Sequence, residues 1–118
     1  MKDTPQRRLI RAAFSHDLDG IDQAITDGAD INALDDEYGL TALHIAVGQN
    51  DLVLSRYLID RYFVSFRADR AGRRPSLIAA ECEVDAALAD YIVEQEALRT
   101  RAGSAESLSA QPGKFDNI

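Results

Sequence analysis

The sequence has a single cysteine, Cys82, and no long apolar run. One cysteine cannot form an intramolecular disulfide, which fits a reducing compartment. No apolar stretch approaches the roughly 18 residues that a membrane-spanning helix requires. Residues 1–11 also lack the apolar segment of a secretion signal. We therefore expect a cytoplasmic protein.

Positive charge is also scarce, because 13 Lys and Arg stand against 20 Asp and Glu, which gives a net charge of -7. Nucleic-acid phosphates and anionic lipid surfaces attract basic proteins, so neither nucleic acid nor a membrane is an expected partner. The length of 118 residues favours one domain with a modest core that needs no metal for its stability.

The chain does contain an internal repeat. The segment of residues 36–59 matches the chain again when it is moved forward by 33 residues or back by 34. The matching pairs include Asp36 with Asp69, Gly39 with Gly72, Ile59 with Ile92, and Leu43 with Leu9. Three copies at a near-constant spacing indicate a stacked array.

Each copy has the same plan of two short helices. In the central copy the pattern predicts helices over residues 42–49 and 51–61, and Thr41 stands where a helix N-cap belongs. Polar connectors join the copies, and Gly39 can adopt the positive φ that a tight turn requires.

Residues 39–46, GLTALHIA, resemble the G-x-T-P-L-H-x-A signature of ankyrin repeats, with Ala42 in place of proline. Residues 27–32, DGADIN, resemble the G-A-D-x-N sequence that ends a helix in that family. The resemblance covers about residues 6–97. It implies an all-α stack of ankyrin-type helix–turn–helix repeats, which is a short solenoid with projecting hairpin-like loops.

The resemblance also sets the expected domain plan. We expect repeats at about residues 6–35, 36–68 and 69–101 within a domain of residues 1–102. The first and last copies are degenerate, so they are expected to cap the stack. Residues 103–118 are rich in Gly, Ser, Ala and Pro and are expected to form a flexible tail.

Two histidines, His16 and His44, are the candidates for catalysis or metal binding. No cysteine or acid stands at ligand spacing from either of them, and the resemblance implies that His44 joins neighbouring loops by hydrogen bonds. The acids of residues 17–37 do not follow the calcium-binding loop pattern. We therefore expect no enzyme activity, no metal and no cofactor.

The acids of residues 17–37 form an acidic block that contains no Lys or Arg. This block is either a solvated surface or a docking surface for a basic partner. Four arginines crowd the start of the third copy, and Arg70 and Arg73 are expected at a loop tip. They either pair with acids such as Asp69 and Glu37 or anchor an acidic partner.

Candidates for partner binding lie on the loop tips and on the first helix of each copy. Tyr38 and Leu40 flank Gly39 and are expected to be exposed, where they either bind a partner or pack on the neighbouring loop. The resemblance places Phe14 on the concave side, beside a shallow pocket at Gly48. The expected partner-binding residues are Phe14, Glu37, Tyr38, Leu40, Gln49, Arg70, Arg73 and Glu81. The aromatic residues expected in the core are Tyr57, Tyr62, Phe63 and Phe66.

The resemblance implies a protein–protein interaction module, an adaptor or regulatory subunit that is a monomer when free. Its partner would be another protein, held by the loop tips and the concave face of the first helices. An alternative is a dedicated inhibitor of the antitoxin or immunity type, whose acidic block would cover a basic active site. A self-assembling structural element remains a further hypothesis, because fold identity alone does not supply function.

Overall fold

Three pairs of α-helices follow one another along the chain. The computed structural model describes the backbone of residues 3–109 and the side chains of residues 3–99, and every regular element in that part is helical. The helices are α1 (Pro5–Phe14), α2 (Leu18–Thr26), α3 (Ala42–Gly48), α4 (Leu52–Tyr62), α5 (Pro75–Glu81) and α6 (Ala86–Ser109). The first helices, α1, α3 and α5, stack side by side, and each packs against the second helix that follows it.

Side-chain caps determine where four of the helices begin. The hydroxyls of Thr4 and Thr41 accept backbone N–H bonds at the starts of α1 and α3. The carboxylates of Asp17 and Asp51 do the same for α2 and α4. Each such cap contributes about 1 kcal/mol to helix stability. The helices predicted for the central copy agree with α3 and α4 to within one residue at each end.

Small and branched apolar side chains fill the core between the first helices. Ala13 and Ala46 are completely inaccessible to solvent, so the helices approach each other closely. Leu9 and Leu43, which are equivalent positions of the first two repeats, are buried beside them. Burying one leucine stabilises the fold by about 1.5–3 kcal/mol, so this row of contacts holds the stack together.

Hydrogen bonds at a constant sequence distance link neighbouring repeats. The turn between the two helices of a repeat contains a residue with positive φ, and its side chain reaches the next repeat. The His16 Nδ1 atom lies 2.6 Å from the Asp51 Oδ2 atom, and the Asp85 amide donates to the Asn50 Oδ1 atom at 2.9 Å. Both contacts span 35 residues, so each of these two turn side chains reaches the start of the second helix of the next repeat.

A buried aspartate organises each of the loops that precede α3 and α5. In the loop of residues 69–73, the Asp69 amide donates to the Arg73 carbonyl at 2.8 Å, and the Asp69 carboxylate accepts the Arg73 amide at 2.8 Å. In the loop of residues 35–40, the central loop, Asp35 makes the same two bonds with Leu40. The pairing of Asp36 with Asp69 is therefore wrong, because Asp35 is the structural counterpart and the central loop is one residue longer.

The end of α4 differs from the sequence prediction. Phe63 has a left-handed backbone, with a φ of 49°, and its side chain is 74% exposed, so the predicted core position is wrong for this residue. Phe66 is buried as predicted, and Tyr57 and Tyr62 are half-buried. The Phe63 ring lies against the guanidinium group of Arg99, at 5.7 Å from the ring centre.

The last helix, α6, is the longest and continues to Ser109. It thus enters the segment of residues 103–118 that the composition predicts to be a flexible tail. The remaining residues of that tail, 110–118, lie outside the described part of the chain. None of the helices in the described part combines the length and the apolar character that crossing a membrane requires.

Candidate functional site

An open groove separates α1 from the central loop. Its volume is about 310 Å³. One wall is formed by α1 and the residue that caps it, and the other wall is formed by the central loop. We call it the α1 groove, and its lining residues are Thr4, Gln6, Arg7, Ile10, Arg11, Phe14, Asp35, Asp36, Glu37 and Tyr38.

The α1 wall follows from helical spacing. Arg7, Arg11 and Phe14 are separated by four and three residues, so their side chains project from one face of the helix. Gln6 fixes the start of this wall, because its side-chain amide donates to the Asp30 carbonyl at 3.0 Å and its oxygen accepts the Asp30 amide at 2.8 Å. The helix is thereby tied to the connector that leads into the central loop.

An exposed aromatic pair closes one end of the groove. The rings of Phe14 and Tyr38 meet edge to face, with centroids 5.7 Å apart and an interplanar angle of 67°. Phe14 is 43% exposed and Tyr38 is 54% exposed. The contact joins the first repeat to the central loop and leaves a large part of both rings in contact with solvent.

The carboxylate of Asp35 holds the backbone of the central loop. It accepts the amides of Glu37, Tyr38 and Leu40 at 3.0, 2.8 and 2.9 Å. Asp35 is only 6% exposed, so these bonds are shielded from water and worth more than surface contacts. The position of Tyr38 is therefore set by the loop itself.

Arg70, from the following repeat, clamps the same loop from the other side. Its amide donates to the Gly39 carbonyl at 2.9 Å, and its Nη2 atom donates to the carbonyls of Asp35 and Asp36 at 3.1 and 2.9 Å. Gly39 has a φ of 70°, and a Cβ atom there would stand 2.5 Å from the Arg70 Cβ atom. Only glycine fits both the backbone conformation and the close approach.

His44 joins the central repeat to the next loop. Its Nε2 atom lies 2.8 Å from the Arg73 carbonyl, and the Thr41 amide donates to its Nδ1 atom at 3.4 Å. A neutral ring with the proton on Nε2 satisfies both contacts. Burial lowers the pKa of His44 below its ordinary value, although the bond to the Arg73 carbonyl opposes this shift. The predicted structural role of His44 is confirmed.

Comparison with known families accounts for this architecture. A family model described as ankyrin repeats, in three copies, matches residues 9–99. The chain belongs to the ankyrin repeat family. This match confirms the fold predicted from residues 39–46, and ankyrin repeats are modules that bind other proteins. A comparison with curated proteins gives no match.

The ankyrin stack brings three of the predicted binding residues together. Phe14, Glu37 and Tyr38 all line the α1 groove. The prediction that Leu40 is exposed beside Tyr38 is wrong, because Leu40 is half-buried and packs against the core. Leu40 follows the turn, and its backbone pairs with Asp35 at the loop base, as the backbone of Arg73 pairs with Asp69 in the next loop.

The other predicted binding residues make internal contacts. Arg73 pairs with Asp69 at 2.9 Å and with Glu81 at 3.1 Å, so the predicted pairing with Asp69 is confirmed and Glu81 is held by an ion pair. Gln49 donates its side-chain amide to the Ala13 carbonyl at 3.2 Å. Arg70 is bonded to the central loop. The internal contacts of these four side chains therefore stabilise the ankyrin stack.

The open space beside Phe14 lies on the side of Tyr38 rather than at Gly48. Gly48 instead faces the third repeat, where an added Cβ atom would lie 3.6 Å from Ile78 and 4.0 Å from the sulfur of Cys82. The Phe14 ring turns toward the central loop and lines the α1 groove.

Most carboxylates of the acidic block are used inside the ankyrin domain. Asp22 accepts hydrogen bonds from the hydroxyls of Tyr57 and Tyr62 and from the Nε atom of Arg61. The bond to Asp22 raises the pKa of Tyr57 to about 12. The remaining internal bonds are those of Asp17 at the start of α2, Asp27 with Arg8, Asp30 with Asn32, and Asp35 in the central loop. Several carboxylates of the block thus stabilise the fold, while Asp36 and Glu37 are exposed on the central loop.

The groove is charged oppositely on its two walls. Arg7 and Arg11 lie on the α1 wall, and the exposed Asp36 and Glu37 lie on the central loop. A hydrogen bond from Arg11 lowers the pKa of Asp3.

In the described part of the chain, His, Cys, Asp and Glu side chains do not gather in a group of three that could hold a metal ion.

Sequence reasoning missed the basic wall of the groove. Arg7 and Arg11 precede the repeat motifs. Their spacing with Phe14 could have predicted this wall, because residues four and seven apart share a helix face. Helical spacing could not predict the opposite wall, which is formed by the central loop, because nothing in the sequence indicates that this loop reaches back to α1.

Proposed function

We propose that this ankyrin protein is an adaptor or regulatory subunit that holds a segment of another protein in the α1 groove. The exposed Phe14 and Tyr38 pair is the observation that carries the proposal. Aromatic side chains dominate the energy of protein interfaces because they bury a large, rigid area with little loss of conformational freedom.

The loop that carries Tyr38 is already ordered in the free protein. Three amides bond to Asp35, and Arg70 bonds to two carbonyls of the same loop. A binding surface whose backbone is already ordered loses less conformational entropy on association, so more of the contact energy appears as affinity. This arrangement favours binding over a purely connecting role for the loop.

The opposite charges of the groove walls would orient the bound segment. A basic side chain of the partner fits beside the exposed Asp36 and Glu37, and an acidic one would approach the α1 wall, where Arg11 is paired with Asp3. Such pairs at the rim of an interface set orientation and association rate more than total affinity. The apolar contact with Phe14 and Tyr38 would supply most of the affinity.

The alternative of an inhibitor that presents its acidic block to a basic active site has weaker support. Asp17, Asp22, Asp27 and Asp30 are bonded within the domain. Turning them toward a partner would break those bonds, and each break leaves a donor without its acceptor. Stoichiometric loss of activity in a captured enzyme would favour this alternative over the adaptor.

The test is a comparison of two exposed aromatic positions. The full chain, its Tyr38→Ala variant and its Phe63→Ala variant are used as bait in a native lysate, and each captured protein is then titrated by calorimetry. Phe63 is the matched control, because it is also exposed but lies at the end of α4 and does not line the groove.

A partner that binds the wild type and the Phe63→Ala variant equally is expected to bind Tyr38→Ala about thirtyfold more weakly, which corresponds to the roughly 2 kcal/mol of an interface hot spot. A partner that both variants bind as tightly as the wild type would contradict the assignment of the α1 groove. Circular dichroism of both variants verifies that they remain folded.

A further inference from the structure

The two ends of the ankyrin stack differ in a way that the repeat register reveals. Hydrogen bonds at the helix ends align the repeats residue by residue, since Ser15, Gln49 and Cys82 donate to the carbonyls of Arg11, Ile45 and Ile78. Within this alignment, one set of positions faces the preceding repeat and another faces the following one. The residues of these two sets in the first and third repeats form the two end surfaces of the stack.

The first repeat ends the stack with a polar surface. Ile45 and Ile78 are 2% and 4% exposed, and the Ile78 side chain lies 3.6 Å from the Cβ position of Gly48 in the repeat before it. The equivalent residue of the first repeat is Arg11, which is exposed and paired with Asp3. A charged residue in place of a buried isoleucine is what an end that meets water requires.

The third repeat leaves its outer side apolar. The equivalent positions on the first helices are Ile10, His44 and Leu77, and their exposures are 7%, 2% and 44%. The second helices align at a spacing of 34, because α4 begins at Leu52 and α6 at Ala86, so the pairing of Ile59 with Ile92 is wrong and its counterpart is Val93. Ile59 is 2% exposed, and Val93 is 55% exposed. Leu77 and Val93 therefore lie where the central repeat is covered by its neighbour, and we call them, with the exposed Ala80 on α5, the open end face.

We propose that two copies of this chain associate through their open end faces about a two-fold axis. The face continues the interface that already joins the repeats, because the same positions are buried in the central repeat. Head-to-tail stacking does not supply a matching surface, since the other end presents Arg8 and Arg11, which are paired with Asp27 and Asp3. The only complementary apolar surface among the described residues at the two ends is therefore the open end face itself.

The charges around the open end face suit a two-fold pair. Asp90 on α6 occupies the position of Arg56, which faces the next repeat with its guanidinium 5.1 Å from the Tyr91 ring centre. Glu94 lies one turn further along α6, and Arg74 precedes α5.

Ser76, at the start of α5, bonds to Glu96 on α6, and the two helices run in opposite directions, so Arg74 lies beyond Glu96 and about one helical turn, roughly 6 Å, from Glu94 along the helix axes. When the two-fold axis is parallel to the helices, α5 of one copy lies over α6 of the other copy. Arg74 of each copy then lies toward the acids of its partner.

A pair held by this face would be weak, with a Kd on the order of 0.1 mM, because its apolar part consists of Leu77, Ala80 and Val93 alone. The sequence alone favoured a free monomer, and the apolar end of the third repeat is the reason for proposing a pair. The α1 groove lies at the other end of the stack, so pairing leaves it open to a partner.

Sedimentation equilibrium of the full chain over about two decades of concentration tests the proposal. The average mass is expected to rise from that of one 13.0 kDa chain toward twice that value. Leu77→Gln and Val93→Gln should each raise the Kd at least about tenfold, since each substitution acts twice in a symmetric pair. Val53→Gln is the matched control, because Val53 is 62% exposed on α4 and outside the face.

Charge reversal provides a second test that does not depend on the apolar variants. Arg74→Glu should weaken the pair, and adding Glu94→Arg should restore it. A mass that stays at one chain at the highest concentration would overturn the proposal. So would a mass that rises beyond two copies, or an equal loss of association in Val53→Gln.

Discussion

Replacing Gly39 by alanine should destabilise this protein much more than replacing Gly72 by alanine. Both glycines stand at the same point of equivalent loops and have positive φ values of 70° and 85°. They differ in their surroundings, because a Cβ atom on Gly39 would lie 2.5 Å from the Arg70 Cβ atom, whereas nothing lies within 4 Å of a Cβ atom on Gly72. The pair separates the cost of the backbone conformation from the cost of the contact.

The backbone conformation alone costs alanine about 1–2 kcal/mol, and the lower entropy of the unfolded chain offsets about 0.4–1 kcal/mol of that. Gly72→Ala is therefore expected to lower the free energy of unfolding by about 1 kcal/mol. At Gly39 the two carbons must also separate by about 1 Å to reach van der Waals contact. That shift strains the three bonds that Arg70 makes to the central loop, each worth about 1 kcal/mol. The expected loss for Gly39→Ala is about 3 kcal/mol.

Equilibrium unfolding in urea, followed by circular dichroism, measures both free energies under the same conditions. A difference of about 2 kcal/mol between the variants supports the role of Arg70 as a clamp on the central loop. Equal losses would refute it, because the contact between Gly39 and Arg70 would then contribute nothing beyond the backbone term.

Two further predictions concern the contacts between repeats. Burial lowers the pKa of His44 in the folded protein. Just below the ordinary histidine pKa, the unfolded chain therefore binds more protons than the folded one. The free energy of unfolding should be highest above about pH 6.5 and should fall as the pH drops below that value. His44→Leu should lower stability by about 1–2 kcal/mol at pH 7.5 and flatten this slope, which urea unfolding at several pH values measures. Tyr57→Phe removes one hydrogen bond to Asp22 and should cost about 1 kcal/mol, whereas Tyr91→Phe, with no hydroxyl partner among the described residues, should cost less in the same assay.

The sequence predicted the repeat architecture because local rules and periodicity agree in this chain. Thr41 caps α3, the spacing of apolar residues gives the buried faces, and His44 makes the inter-loop contact that the family resemblance implies. These features depend on residues close in sequence or on positions repeated at a fixed distance. Both are visible without a structure.

The candidate site was predicted only in part, because it depends on one residue of loop length. Leu40 was expected at an exposed tip because it flanks Gly39, whereas the structure uses Asp35 as the loop base and packs Leu40 inward. Phe63 was misplaced for a similar reason, since its left-handed backbone turns the ring away from the core. Neither backbone conformation is determined by apolar periodicity.

The acidic block shows a different limit of sequence reasoning. Composition gives the number of charges but not their partners, and the bonds of Asp22 to Tyr57 and Arg61 cross between repeats. The same limit applies to the ends of the stack. Arg11 and Leu77 become informative only when the register shows that their counterparts, Ile45 and His44, are buried.

The extra residue of the central loop is the feature that connects fold and function. Three residues lie between Asp69 and Arg73, whereas four lie between Asp35 and Leu40. The longer loop carries Tyr38, whose ring contacts that of Phe14. Deleting Tyr38 would give the central loop the length of the loop of residues 69–73, which this stack already accommodates. The deletion should therefore change the free energy of unfolding by no more than about 1 kcal/mol while it removes the rim of the α1 groove.

Affinity for a partner captured by the wild type should then fall at least about tenfold, and Tyr38→Phe, which keeps the ring, should bind nearly as the wild type does. Urea unfolding and calorimetry measure the two quantities separately. A deletion variant that binds normally would show that the groove is not the binding site. One that unfolds would show that the longer loop serves the stack rather than a partner.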